Sequence, residues 1–182
     1  MVNSSMVNRL DRKQLLQSVA LGLAALGLGL LVLPVSAHAA NNCPWINEAT
    51  ASGLLGSDAI GTATGAGAGE PGTCTFVSQH EGTTRTLRIN VEVAADPHAR
   101  LGELAQLCGT DAANLPAIGN EAVVCTADDR KGGLGERVLG RVRDQVFTIT
   151  ISSTQKRDPV LNRSALKTRI STAAEQVSGN LF

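Results

Sequence analysis

Aromatic residues are scarce in this chain: tyrosine is absent, Trp45 is the single tryptophan, and Phe76, Phe147 and Phe182 complete the set. Surfaces that stack sugars or bases are built from several aromatic faces, so both binding modes are disfavoured. Histidine is limited to His38, His80 and His98. There is no G-x-S-x-G elbow for a nucleophilic serine, no Gly-Lys-Ser/Thr to close a phosphate loop, and no C-x-x-C for redox exchange, haem attachment or zinc. His80 with Glu81, or His98 with Asp96, supplies two ligands where a metal takes three or four. These absences leave no catalytic, cofactor or metal residue to assign.

An excess of either charge is also missing, with 16 Lys and Arg against 16 Asp and Glu. Three of the basic residues, Arg9, Arg12 and Lys13, and one acid, Asp11, fall in the first fourteen residues. The remainder is slightly acidic, which argues against nucleic acid as a partner. That basic start leads into a nearly unbroken apolar run, Leu15 to Val35, and then into Ala37-His38-Ala39. This order describes an export signal over residues 1–39, cut before Ala40. The run is also long enough to span a bilayer if it is not removed, so a membrane is a partner only in that case. Arg12-Lys13 before the leucines resembles a degenerate twin-arginine signal.

The rest, residues 40–182, is of a size for one domain with a real core. It holds all four cysteines, Cys43, Cys74, Cys108 and Cys125, in a part of the chain expected to meet an oxidising compartment. Their gaps are too long for a four-cysteine zinc site. Two disulfides are predicted, with three pairings open. Sequential pairing closes the shortest loops.

Asn47 reads as the cap of a short helix ending before Gly56. The Gly-rich stretch over 56–72 reads as a flexible loop. Thr73–Val77 and Thr83–Ala95 predict a hairpin, the second strand placing Leu87, Ile89, Val91 and Val93 on one face. Asp96-Pro97 opens a second helix that Gly109 stops. Three strands follow, about Glu121–Ala127, Arg137–Val142 and Gln145–Ser152, the last two joined by an Arg143-Asp144 turn. Asp158-Pro159 repeats the cap-and-proline signal before a final helix with Leu166, Ile170, Ala173, Val177 and Leu181 on one stripe. The order α-β-β-α-β-β-β-α predicts a single α+β domain, a mainly antiparallel sheet flanked by helices.

Inside the glycine stretch, Gly67 to Gly72 spells G-x-G-x-x-G. A dinucleotide fingerprint needs a strand before it and a helix after it. Here a strand follows, and Pro71 removes a backbone N–H that a phosphate cradle would use. Glu81, Glu92, Glu103, Glu121, Asp128 and Asp129 are scattered carboxylates without a pairing that marks a glycosidase. Lys156, Arg157, Arg163, Lys167 and Arg169 cluster around the last helix. They read as its wet face, or as a patch for an anionic partner.

One family resemblance spans nearly all of residues 40–182. It rests on Cys43, the Asn47-to-Gly56 helix, the loop closing on Gly72-Thr73-Cys74-Thr75-Phe76, Leu115-Pro116-Ala117-Ile118-Gly119-Asn120-Glu121-Ala122 before a strand, the Arg143-Asp144 hairpin and the terminal helix. The pattern resembles small exported bacterial envelope domains of unknown function, found as lipoproteins and secreted proteins. These are similar in turn to the α/β/α sandwich of the PsbP-type photosystem extrinsic proteins and a nuclear-transport factor. The resemblance implies a Cys43–Cys74 bridge and no catalytic residues. The lipoprotein box is missing here, since Ala40-Asn41-Asn42 precedes Cys43.

The function these readings lead to is that of a non-catalytic domain, periplasmic or secreted, binding an envelope protein or a small ligand. The alternatives are a secreted hydrolase with an unrecognised site, and a structural envelope protein docking through its basic terminal helix.

Overall fold

The computed structural model of the protein describes residues 42–67, 69–127 and 132–182. The expected signal over 1–39 and the carboxylates Asp128 and Asp129 lie outside the described residues. The first helix, α1 (Glu48–Leu55), starts where Asn47 accepts a hydrogen bond from the Thr50 N–H at 2.8 Å and ends at Gly56 in the left-handed conformation. Any side chain there would also strike Val160. A strand follows, β1 (Ile60–Thr64), and then the hairpin β2 (Gly72–His80) and β3 (Thr83–Val93). Its two turn residues, Glu81 and Gly82, both have positive φ, the geometry whose twist matches the paired strands.

Helix α2 (Pro97–Ala105) is capped by Asp96, which accepts from the Ala99 N–H, and has Pro97 in its first turn. It tightens into a 3-10 turn over Gln106–Asp111, where Gly109 takes a positive φ. The chain continues through β4 (Ala113–Asn114), β5 (Glu121–Thr126), β6 (Leu134–Val142), β7 (Gln145–Ser153) and α3 (Arg163–Leu181).

The strands form one sheet in the order β1-β2-β3-β7-β6-β5-β4, every neighbouring pair antiparallel. The α+β class and nearly all of the predicted element order are therefore present. Two strands are additions, the two-residue β4 and the edge strand β1. The latter lies within the stretch expected to be a flexible loop. Its Gly61 is opposite Phe76, and a Cβ there would come within 2.6 Å of the Phe76 ring. The glycine is set by that close approach rather than by a turn.

Side chains alternate across a strand, and the two faces of this sheet differ. Cys74, Phe76, Leu87, Ile89, Val91, Val138, Phe147, Ile149 and Ile151 share one face by register. All are buried in a core closed by α1 and by the Leu166, Ile170, Ala173, Ala174 and Val177 stripe of α3. The other face is covered by α2 and the 3-10 turn over β5, β6 and the adjoining end of β7, and Leu101, Cys108, Cys125 and Leu139 form a second small cluster there. Over β1, β2, β3 and β7 it presents Thr62, Thr64, Thr73, Thr75, Thr86, Arg88, Thr148 and Thr150, half-buried or exposed.

The two disulfides serve these two clusters. Cys43–Cys74 pins the segment before α1 to the first part of β2, and Cys108–Cys125 pins the 3-10 turn to β5. No cysteine is left free, and such bridges belong to an oxidising compartment. Among the described residues no helix is long and apolar enough to cross a membrane.

Candidate functional site

The segment between β7 and α3 is held by one carboxylate. Asp158, 2% exposed, accepts from Arg85 Nε at 2.7 Å and Nη2 at 3.0 Å, from Ser153 Oγ at 2.6 Å, and from the N–H groups of Val160 and Leu161 at 2.8 and 3.1 Å. Burial works to raise the pKa of this group. The Arg85 guanidinium, the Ser153 hydroxyl and the two backbone donors outweigh it and hold the carboxyl well below the usual carboxylate range. Arg85 is itself 3% exposed, on the core side of β3, so charge and hydrogen-bonding capacity are matched in a dry place.

This arrangement corrects the reading of Asp158-Pro159 as the start of the last helix. Asn162 is the true cap, accepting from the Ala165 N–H at 3.0 Å, and the helix begins at Arg163. Asp158 does cap backbone N–H groups, but in a turn stabilised by Arg85, a residue 73 positions earlier.

With the turn fixed, its outward side chains converge. Lys156, Arg157 and Arg163 line an open cavity of about 540 Å³ together with Leu134, Asp158, Pro159 and Asn162. Lys156 and Arg157 are exposed. Arg163 Nη1 donates to the Gly135 carbonyl at 3.2 Å and lies 3.7 Å from the buried Glu136 carboxylate. The cavity stands at the N-terminal end of a 19-residue helix, whose dipole adds positive potential to the three side chains. Leu134 and Pro159 give it an apolar floor beside the charges.

The other two members of the predicted basic cluster lie elsewhere. Arg169 Nη1 donates to the Leu54 carbonyl at 2.9 Å. It thereby supplies a donor to the C-terminal end of α1, where helix carbonyls lack partners. Lys167 borders a separate cavity of about 280 Å³ with Asp111, Glu136 and Ser171. Of the five, Lys156, Arg157 and Arg163 line one cavity, Arg169 ties two helices, and Lys167 belongs to mixed-charge surroundings.

The remaining titratable residues are mostly engaged with one another. His98 Nδ1 lies 2.8 Å from Glu121 Oε2, which also accepts from Arg141 Nε at 3.0 Å. The hydrogen bonds from His98 and then Arg141 lower the Glu121 pKa. Glu92 and Glu103 both engage Arg100. His80 and Glu81 are 3.7 Å apart on the exposed hairpin tip. Among the described residues no cluster of three His, Cys, Asp or Glu could hold a metal ion.

The G-x-G-x-x-G stretch joins β1 to β2, and the Gly69 carbonyl accepts from Gln145 Nε2 at 3.0 Å. Gly72 is packed so closely on Ala66 that a Cβ would collide with its backbone. The glycines thus let a hairpin connection fold back on itself, and no helix follows to face a pyrophosphate. No family model, curated protein or solved structure matches this chain.

Proposed function

We propose that this is an exported, non-catalytic binding domain that takes an acidic group of a partner protein or small ligand into the cavity of Lys156, Arg157 and Arg163. The observation that carries the reading is their convergence, with an apolar floor, at the positive end of α3. An acidic side chain with a short apolar stem suits that combination of charge and surface. The reading of residues 1–39 as a cleaved signal supports a location in the periplasm or outside the cell, as do two disulfides bracing a single domain. The non-catalytic reading is supported by the engagement of the carboxylates, with Asp158 held by five donors and Glu121 by His98 and Arg141. The resemblance to exported envelope domains points the same way.

A binding titration with a poly-glutamate peptide at two ionic strengths tests this function. Salt-sensitive binding, lost in Lys156→Glu/Arg157→Glu and kept in Lys167→Glu, is the expected result. Binding that is absent, or equally sensitive to Lys167→Glu, would overturn it.

A further inference from the structure

Two arginines on the face of the sheet opposite the main core, Arg88 on β3 and Arg137 on β6, are associated by no sequence spacing. By register, Thr75, Arg88, Thr150 and Arg137 stand side by side on β2, β3, β7 and β6. Neighbouring strands lie about 4.8 Å apart, so the Arg88 and Arg137 backbones are roughly 10 Å apart with Thr150 between them. Their side chains leave the sheet on the face opposite the main core, where Arg88 is exposed and Arg137 half-buried. Arg137 is directly opposite Cys125, whose bridge to Cys108 brings the 3-10 turn over that end of the face. The result is a shallow corner with a sheet floor and one wall.

Among the described residues, the acids of the strands on this face are already used. Glu92 is paired with Arg100, and Glu121 with Arg141 and His98. Neither Arg88 nor Arg137 has a hydrogen bond or ion pair among the described residues, and the Arg137 Nε is buried with its donor unmet. An unmet buried donor on a cation is costly, and two like charges two strands apart on one face disfavour each other. One species removes both penalties: a dianion seated between them, each planar fork taking two of its oxygens, with the Thr75 and Thr150 hydroxyls available as further donors. A carboxylate would neutralise only one of the two charges.

We infer that the Arg88–Thr150–Arg137 row is a second binding site, separate from the Lys156 cavity, for a tetrahedral dianionic group: a phosphate, free or as a monoester. It lies on the opposite side of the sheet from the Arg85–Asp158 pair, because residues 85 and 88 of β3 alternate in direction.

The test is a titration of the disulfide-intact exported protein followed by NMR of the arginine side-chain Nε–H signals. Inorganic phosphate and glycerol phosphate are the probes, with chloride at matched ionic strength as the reference. Saturable shifts at Arg88 and Arg137, weakened about tenfold or more by Arg88→Gln or Arg137→Gln and unchanged in Lys156→Gln/Arg157→Gln, are expected. Both probes binding alike marks the phosphate group itself as the ligand, and binding of the monoester alone marks a phosphorylated molecule as the source. Shifts no larger than those with chloride, shifts that survive in Arg88→Gln/Arg137→Gln, or equal binding of a monoanionic dimethyl phosphate would overturn the assignment. Thermal melts of the variants check that the fold is intact. Loss of poly-glutamate binding in the Lys156 variant leaves this result untouched, so the two sites fail independently.

Discussion

Arg85 and Arg88 sit three residues apart on one strand and meet opposite circumstances. Arg85 points into the core, where Asp158 receives it in a two-pronged contact that Ser153 and two backbone N–H groups complete. Arg88 points to the open face, beside Arg137 and a row of threonines. A guanidinium in the core is tolerable only when every acceptor around it is in place. On the open face it is available to a ligand. One residue type therefore serves architecture on one side of the sheet and recognition on the other, and the two-residue period of the strand decides which.

The largest effect should come from breaking the inner member of that comparison. Asp158→Asn leaves Arg85 buried without its counter-charge and should cost about 3–5 kcal/mol, measured by denaturant unfolding. Replacing both partners, Arg85→Met with Asp158→Leu, should not restore full stability, because Ser153 and the N–H groups of Val160 and Leu161 then lose their acceptor. A fully stable double variant would show that the turn does not depend on the carboxylate.

Next in size are the bridges. Cys43→Ser/Cys74→Ser should destabilise by about 3–4 kcal/mol, the chain-entropy value for a loop of this length, and by more than Cys108→Ser/Cys125→Ser, which closes the shorter one. Equal losses, or the reverse order, would mean that the small cluster around Leu139 and not the main core limits stability.

Acid should separate the two arginines without mutation. The Asp158 pKa is depressed in the folded state, so its stabilisation is complete above the unfolded value of about 4 and is lost as pH falls through the lower folded value. Thermal stability should begin to fall below about pH 4 and keep falling, and the fall should flatten in Asp158→Asn. The smallest effect belongs to the outer member. Arg88→Gln should change stability by less than about 0.5 kcal/mol while changing anion binding, and a large loss of stability would place Arg88 in the architecture after all.

Much of this was legible in local patterns. The Leu87-Ile89-Val91 alternation, the Asn47 and Asp96 caps and the α3 stripe each depend on neighbours a few residues away. The strand β1 was not legible, because Gly61 within Ile60–Thr64 reads as loop and is instead demanded by the Phe76 ring opposite it. Asp158 was misread for a related reason. Its sequence surroundings describe a cap, and the partner that dominates it is on β3. The basic cluster was visible as composition, but the division of Lys156, Arg157 and Arg163 from Lys167 and Arg169 required the path of the chain between β7 and α3. The Arg88–Arg137 juxtaposition rests on strand order alone.

Glu48 accepts a hydrogen bond from the Gly61 N–H at 2.8 Å. Gly61 belongs to the edge strand of the sheet, and its neighbour Ile60 is 76% exposed. An uncharged edge with an exposed isoleucine is the kind of strand on which another molecule can add its own. The carboxylate from α1 already occupies one of the outward donors that such an addition would use. Removing it with Glu48→Ala should leave the fold intact while freeing that donor, and light scattering of concentrated protein should show more association than in the unsubstituted chain, so a helix residue outside both proposed sites would set how readily chains add strand to strand.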